Sequence, residues 1–582
     1  MMRPLTLTRA AGLNRLRSRF LSYAKGSPER TELSETIQKM KNEFPATIPI
    51  KINGAEVETK QSRSQVNPSR HKDIVANYAL ATPDQVNIAV DAALKAKPPW
   101  ETTPFEDRAA IFLRACELIA GKYRSEMVAA TMLGQGKNIW QAEIDAPAET
   151  VDFFRYYVQE AWALYSQRPK VHPDGNWNKL EYRPLEGFAY AITPFNFTAL
   201  GATLVGPAAL LGNVVIWKPS DSALHASWLL HKILLEAGLP KGVIQFLPGD
   251  AEEVTNTILK RPEFSALTSI GYTATFKGIQ KKIGDGIGQG IYNSYPRVGQ
   301  KCSTNSRVYV AESVWPEFQQ HLKEETEALK RSLDKLNDFI EAARTDSELE
   351  LITGAKASKK KGYYVHPTIY KTSNLHHDIM KQELFGPILG VYVYPDAEWE
   401  ETLKLLDTAS RYGLTGSIYA RDPYASRQAQ TALKHAAGML YLNTKCTGST
   451  VAQQPFGGSR DSGTNDKTGT MAHLQRFRRY NWVSCTTHYR TLADSMFPID
   501  KGNQSVLYGC VGPRSRDSVP TGLGHYIIWY LKGSKANVEN HIKLAAQEGW
   551  SLGIKLVRGA SVVCCKSVSS KDFQVFDVGI CD

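Results

Sequence analysis

From Gly187 to Gly284 the chain alternates short apolar runs with amphipathic stretches, and this alternation constrains its fold more than any other feature. "FAYAITPFNF" is an apolar run that ends in a turn, and "NVVIWKPSD" is a second that ends in Lys-Pro-Ser. "ASWLLHKILLEAG" has helical periodicity and is stopped by Gly238 and Pro240. "GVIQFLPGD" and "FSALTSIG" are further buried runs, and "TATFKGIQKKIG" is the helix after the last. Strand followed by helix at this rhythm predicts an α/β fold with a doubly wound parallel sheet. Ligands of such sheets bind at the carboxyl ends of the strands, so the residues just after each run become the candidates for function.

The flanks are less regular. Val86 to Phe154 reads as helices and Trp177 to Tyr190 as strands. Lys323 to Glu350 reads as exposed helix with acids and bases at i,i+4 spacing. There is no internal repeat. After Phe477 cysteines become denser and the strand–helix rhythm is lost until residue 525. A length of 582 residues predicts two or three domains, and 42% hydrophobic residues suffice for a large core. No apolar run approaches the roughly 18 residues of a membrane span. The net charge is +12, but Lys and Arg are spread along the chain, which predicts a solvated surface and no nucleic-acid partner.

Three of the eight cysteines, Cys116, Cys302 and Cys446, precede residue 480, and no CxxC pair exists to hold zinc, so no metal site is expected. A reducing compartment fits this usage. At the N-terminus Arg3, Arg9, Arg15, Arg17, Arg19 and Lys25 all precede the first acid, Glu29, with Leu5, Leu13, Leu16 and Phe20 among them. An acid-free, Arg-rich amphipathic leader predicts a mitochondrial transit peptide over residues 1–25.

Four strand-end residues suggest chemistry. Lys218 could hold a ribose or phosphate. Gly271 opens a helix whose first amides suit a pyrophosphate. Asn196 offers an amide donor for an oxyanion. Cys302, in "GQKCS", is a candidate nucleophile. Taken singly each has a blander reading: a lone cysteine is more often structural, and a strand-end lysine is usually a surface lysine.

Taken in order, "TPFNF", "GNVVIWKPSD", "EAGLPKGVIQFLPGD", "GQKCS", "QELFGPIL" and "QQPFGGSRDSGTNDK" resemble the aldehyde dehydrogenase superfamily over residues 45–475. "QAEIDAPAETVDFFRYY" and "TGSTVAQQPFGGSRDSGTNDK" resemble its branch that oxidises L-glutamate γ-semialdehyde. The resemblance implies that Cys302 attacks the aldehyde, Asn196 and the Cys302 backbone amide hold the oxyanion, hydride passes to NAD, and water releases glutamate. Thr193, Lys218, Gly271, Tyr272, Thr273, Ala274 and Thr275 match the family's NAD positions. Glu383 matches the carboxylate on the nicotinamide ribose, with Phe385 beside it. Gly448 and Ser449 match the loop that anchors the substrate carboxylate, aided by Ser303. Phe197 and Phe456 would flank the aliphatic part, and Glu149 would face the ammonium. The resemblance further implies a NAD-binding domain (45–297, with an arm hairpin about 165–182), a catalytic domain (298–437), an anchor loop and oligomerisation arm (438–477), and a homodimer or higher homo-oligomer in the mitochondrial matrix.

The chain departs from that family in places. The family carries a strand ending in Glu-x-Gly-Gly-Lys, whose glutamate activates the hydrolytic water, and then a helix before the nucleophile. Here "YPR" runs directly into "VGQKCS", so that glutamate and roughly thirty residues are missing, the size of a strand–helix unit. Neighbouring strands must then pair anew or expose their ladders. A second gap follows "SVWPEFQQHLKEETEALK", and Tyr272 replaces a small hydroxyl residue where it can crowd the pyrophosphate turn. The divergent tail is 478–582. Within it residues 526–562 resemble proline dehydrogenase: a Tyr-Leu-Lys helix start, then a strand ending Lys-Leu-Val-Arg-Gly-Ala. One helix and one strand cannot close an eight-stranded barrel, so no flavin is expected. The alternatives to an impaired dehydrogenase are an inactive nucleotide-binding or assembly subunit, or the product of an incomplete or mis-joined gene.

Overall fold

The structure, a computed structural model, describes residues 20–171, 176–284, 294–296, 303–327, 335–358, 360–486, 528–531, 552–557 and 560–565. The chain divides into two compact units, one made of residues up to Tyr165 with Arg183–Arg479, the other of Ser166–Tyr182 with Tyr480 onward.

The first unit opens with helix α1 (Pro28–Glu43), whose Ser27 cap accepts the Arg30 N–H. Helix α2 (Pro83–Thr102) starts with a capping box between Thr82 and Gln85. Helices α3 (Phe105–Ala120), α4 (Arg124–Gln135) and α5 (Glu149–Tyr165) follow. The central sheet is built from β1 (Phe188–Ile192), β2 (Val215–Lys218), β3 (Ile244–Phe246), β4 (Phe264–Gly271) and β5 (Ser294–Pro296). Its order is β5-β4-β1-β2-β3, and every pairing is parallel. Helices α6 (Ala199–Leu210), α7 (Leu224–Glu236), α8 (Ala251–Leu259) and α9 (Thr273–Ile283) make the crossovers.

Strand period two divides the core between the two faces. Phe188 and Tyr190 share one core with α2 and α8, while Ala189 and Ala191 share the other with α3 to α7. The small residues let α6 lie close: a Cβ at Gly201 would stand 3.0 Å from the Trp217 ring.

At one edge of this sheet, three-residue β5 pairs with the end of β4, Ser269 opposite Ser294 and Gly271 opposite Pro296. The edge is thus capped at its C-terminal end, where ligands of such sheets sit. A second, four-stranded sheet holds β6 (Arg307–Ala311), β7 (Leu349–Thr353), β8 (Thr368–Thr372) and β9 (Ile388–Tyr394) in the order β6-β9-β8-β7. Val451, Leu474 and Phe477, from the segment expected to serve as anchor loop and arm, are buried in the first core.

Several expectations need correction. Residues 20–25 were expected to belong to a leader outside the fold, yet Tyr23 is 3% exposed and joins the first core. The exposed helix expected over Lys323–Glu350 is instead two helices, Trp315–Glu327 and Lys335–Ala343, before β7. Leu336, Ile340 and Ala343 of the second are buried, because their i, i+4 and i+7 spacing makes one apolar face. The strand Asn176–Pro184 pairs with Arg478–Thr486, past the 438–477 segment. In the second unit Tyr530 and Leu531 lie in a strand, Ile528–Leu531, and not in a helix start. That strand and Leu552–Val557 both pair antiparallel to Ala560–Cys565. Antiparallel pairing satisfies these backbones locally, without the neighbours a parallel barrel strand needs.

Candidate active site

The order of the central sheet reverses at β1: β2 and β3 extend to one side, β4 and β5 to the other. Chains leaving β1 and β4 therefore part, and a crevice opens between their carboxyl ends. Register puts Lys218 opposite Ile192, and Ile192 opposite Ser269, so the ends of β2, β1 and β4 lie level. Thr193 continues β1: its N–H bonds the Lys218 carbonyl at 3.2 Å, and its Oγ1 accepts the Trp217 Nε1–H at 3.0 Å.

Lys218 is buried, and its Nζ donates to Asp221 Oδ1 at 2.9 Å. Arg63 stands 3.6 Å from Asp221 and 3.4 Å from Asp250. Burial, and then the Asp221 carboxylate, raise the Tyr78 phenol above its ordinary value. Asp221 has no role in the sequence reading; its place three residues after Lys218 in "WKPSD" is the signal that could have found it.

Gly271 ends β4 and Tyr272 precedes α9 without a side-chain cap. The amides of Thr273, Ala274 and Thr275 form the first turn, the electropositive end of an eleven-residue helix with Lys281 and Lys282 at its other end. Tyr272 is 43% exposed, so a good part of its ring is turned to solvent. The Thr273 hydroxyl donates to Tyr412 Oη at 3.2 Å. This donor set, an uncapped helix start level with a buried ammonium, suits a pyrophosphate with its ribose.

Asn196 is 6% exposed in the loop from β1 to α6. Thr198 Oγ1 pins that loop, bonding Thr131 Oγ1 and the Gln135 amide, each at 2.8 Å. Phe197 lies under Lys137, whose Nζ is 4.8 Å from the ring centroid and 2.9 Å from the fully buried Asp145. Glu149 is half-buried at the start of α5. The Phe195 ring meets the Phe385 ring edge to face, centroids 5.7 Å apart, which joins this loop to the Glu383 segment. Glu383 Oε1 accepts the Phe385 N–H at 3.2 Å across a turn in which Phe385 has φ 62°.

Cys302 lies outside the described residues. The carbonyl of its neighbour Ser303 accepts the Thr415 hydroxyl at 3.3 Å. Gly448, with φ 84°, has its carbonyl bonded by Lys445 Nζ. Ser449 follows it, and the Phe456 carbonyl accepts the Thr468 N–H at 2.8 Å. Among the described residues one cluster, Asp346, Glu348 and His377, has the composition of a metal site. His377 Nδ1 accepts the Ile379 N–H at 3.1 Å, which leaves the ring proton on Nε2, 2.9 Å from Asp346, while Asn374 donates to Glu348. The cluster is thus a helix cap whose imidazole donates to Asp346.

Comparison with known proteins agrees with this geometry. The sequence signature described as "Aldehyde dehydrogenase family" matches residues 56–291 and 284–483. The chain belongs to the aldehyde dehydrogenase family. Among relatives of this aldehyde dehydrogenase, mitochondrial delta-1-pyrroline-5-carboxylate dehydrogenase of Emericella nidulans is 46% identical over 508 residues, covering 78% of this chain and 89% of the relative. The human enzyme of the same name is 38% identical, covering 78% and 90%. A crystal structure of the Mycobacterium tuberculosis Delta-pyrroline-5-carboxylate dehydrogenase bound with NAD superposes with a TM-score of 0.76 at 36% identity, covering 80% and 95%.

The 508 aligned positions are more than 78% of a 582-residue chain can fill, so the relative carries residues that this aldehyde dehydrogenase lacks. The family signature also breaks into two pieces that meet at 284–291, just before the "YPRVGQKCS" junction.

Proposed function

We propose that this aldehyde dehydrogenase oxidises L-glutamate γ-semialdehyde to L-glutamate with NAD, in proline catabolism. The observation that carries this reading is the 46% identity over 89% of a delta-1-pyrroline-5-carboxylate dehydrogenase. Similar enzymes from Mycobacterium tuberculosis and Thermus bind NAD, and the donor set here suits the same cofactor. Thr193, Lys218 and the Gly271–Thr275 turn hold its ribose and pyrophosphate, and Glu383, with Phe385 beside it, accepts from the nicotinamide ribose hydroxyls. When bound, NAD supplies the hydride acceptor.

The Cys302 thiolate adds to the aldehyde carbon, and the Asn196 amide with the Cys302 N–H stabilises the oxyanion. Loss of hydride leaves a thioester on Cys302. Ser303, Gly448 and Ser449 hold the substrate carboxylate, Phe197 and Phe456 flank its methylenes, and Glu149 faces its ammonium. Deacylation is the weak step. Residues 288–301 contain no Asp or Glu, and a positioned base contributes about 100- to 10,000-fold. The thioester therefore accumulates.

The test is to mix the chain with substrate and NAD, following NADH and intact mass together. An NADH burst with a persistent acyl adduct is expected. Rapid turnover without adduct overturns the deacylation defect, and neither NADH nor adduct overturns the oxidation itself and leaves an inactive assembly subunit.

Several close relatives are named mitochondrial, which supports a mitochondrial location, and we place the chain in the matrix as a homodimer or higher homo-oligomer. Residues 526–562 we read as a proline dehydrogenase remnant; the purified chain is expected to carry no flavin absorbance.

A further inference from the structure

Glu143 is fully buried at the end of a short helix, Ile139–Glu143, just before the turn that leads into α5. A carboxylate there needs partners for both oxygens. Arg124, from α4, pairs with it. Two further partners come from the very start of the described chain: the Tyr23 hydroxyl donates to Oε2 at 2.8 Å, and the Leu21 N–H donates to Oε1 at 3.2 Å.

This is a docked segment. Tyr23 is 3% exposed within the first core, and Leu21 packs against the same core. Tyr23 adopts φ 47°, a left-handed conformation that a tyrosine rarely takes without tertiary contacts to hold it. The Tyr23 carbonyl accepts from Arg30 at 3.4 Å, and the Ser27 N–H bonds the Ala24 carbonyl at 3.0 Å, so the segment turns directly into α1. Glu32 of α1 in turn accepts the Ser125 hydroxyl of α4 at 2.9 Å.

The run of arginines in the leader ends at Arg19, and the partners of Glu143 begin at Leu21. We propose that the basic leader is removed by hydrolysis at, or N-terminal to, the Phe20–Leu21 bond, and that Leu21–Tyr23 remain in the mature chain as the partners of Glu143. Hydrolysis of that bond adds water: Phe20 gains a carboxylate, the C–N bond breaks, and Leu21 keeps an ammonium. That ammonium stands where the Leu21 N–H already meets Glu143, so the cut replaces a neutral donor to the carboxylate with a charged one and adds an ion pair. A cut after residue 25 removes two of the three partners and leaves the buried carboxylate with Arg124 alone.

The inference rests on the mitochondrial reading above, and its test does not depend on NADH formation. The full chain is imported into isolated mitochondria and the first residue of the protected product is read by mass spectrometry. A first residue at or before Leu21, downstream of Met1, is expected. A first residue at Ser22 or later overturns the proposal, and an uncut or unimported chain overturns the leader reading and the proposal with it. In parallel, chains beginning at Leu21 and at Gly26 are compared by thermal unfolding. The Gly26 chain is expected to melt about 3 °C lower or more, and equal midpoints overturn the docking role. If the Gly26 chain does not fold, Tyr23→Phe in the Leu21 chain decides: a lowered midpoint supports the role and an unchanged one overturns it.

Discussion

Phe195 and Phe385 meet edge to face, their centroids 5.7 Å apart and their planes at 74°. One ring precedes Asn196 on the loop leaving β1, and the other follows Glu383, so a single contact couples the proposed oxyanion donor to the proposed partner of the nicotinamide ribose. Such pairs contribute about 0.5–1.5 kcal/mol beyond the area they bury. Phe195→Ala is expected to lower the NADH burst rate about tenfold while raising the KM for NAD. Phe385→Gly is expected to be more stable than Phe385→Ala by about 1 kcal/mol, since only glycine holds φ 62° without strain. Denaturant midpoints of the two variants check this.

The Lys218 ammonium is buried and paired with Asp221 at 2.9 Å, in a site also shared with Arg63. Lys218→Met keeps the stem and removes the donors. Its expected effect is a weakening of NAD binding by about tenfold, the loss of a charge-assisted hydrogen bond. Titration of NAD against intrinsic fluorescence measures it directly.

Asn196→Ala is expected to reduce the rate of the NADH burst about 100- to 1,000-fold, the usual loss when one oxyanion donor is removed. NAD affinity should stay unchanged. An unaltered burst rate removes Asn196 from the proposed mechanism.

The described free cysteines differ in environment. Cys116 is fully buried, burial pushes its thiol up to about 12, and its Sγ lies 3.6 Å from the Val151 carbonyl. Cys446 is half-buried. Iodoacetamide at mild alkaline pH is expected to modify Cys446 in the folded chain and Cys116 only on unfolding, because the thiolate is the reacting species. Peptide mapping over time separates the two.

Two buried histidines, His231 and His473, and the half-buried His225 set an acid limit. Burial lowers His225 and His231 from 6.5 to about 4, and His473 to about 3. Below pH 6.5 the unfolded chain binds protons that the folded chain refuses until about 4 or 3, so stability falls as pH falls through that window. Each histidine contributes a slope of up to about 1.4 kcal/mol per pH unit. Urea midpoints between pH 7 and 5 should drop, and His231→Asn should flatten the dependence.

Much of the sheet was legible because each strand is a short apolar run closed by Gly or Pro, a local signal. That same signal carried Lys218 and Gly271 to the carboxyl ends of β2 and β4, whereas Thr193, just past β1, came from the family resemblance. The helix Lys335–Ala343 was misread because its charges are prominent in the sequence, while its buried face is only Leu336, Ile340 and Ala343. The tail strand at Tyr530 was misread because the resemblance suggested a helix, whereas its backbone pairs with Ala560–Cys565.

By itself the sequence determined the alternating architecture, the family, the order of its motifs, and the lack of an acid in the residues leading to Cys302. These follow from periodicity and from residues adjacent in the chain. Only the tertiary structure decided that Glu143 binds Leu21 and Tyr23, that Lys137, paired with Asp145, lies over the Phe197 ring, and that Phe195 meets Phe385. Those contacts join residues far apart in the chain. What selects them is the cost of burying a charge or a ring without a partner, and that cost exists only once the chain has closed around it.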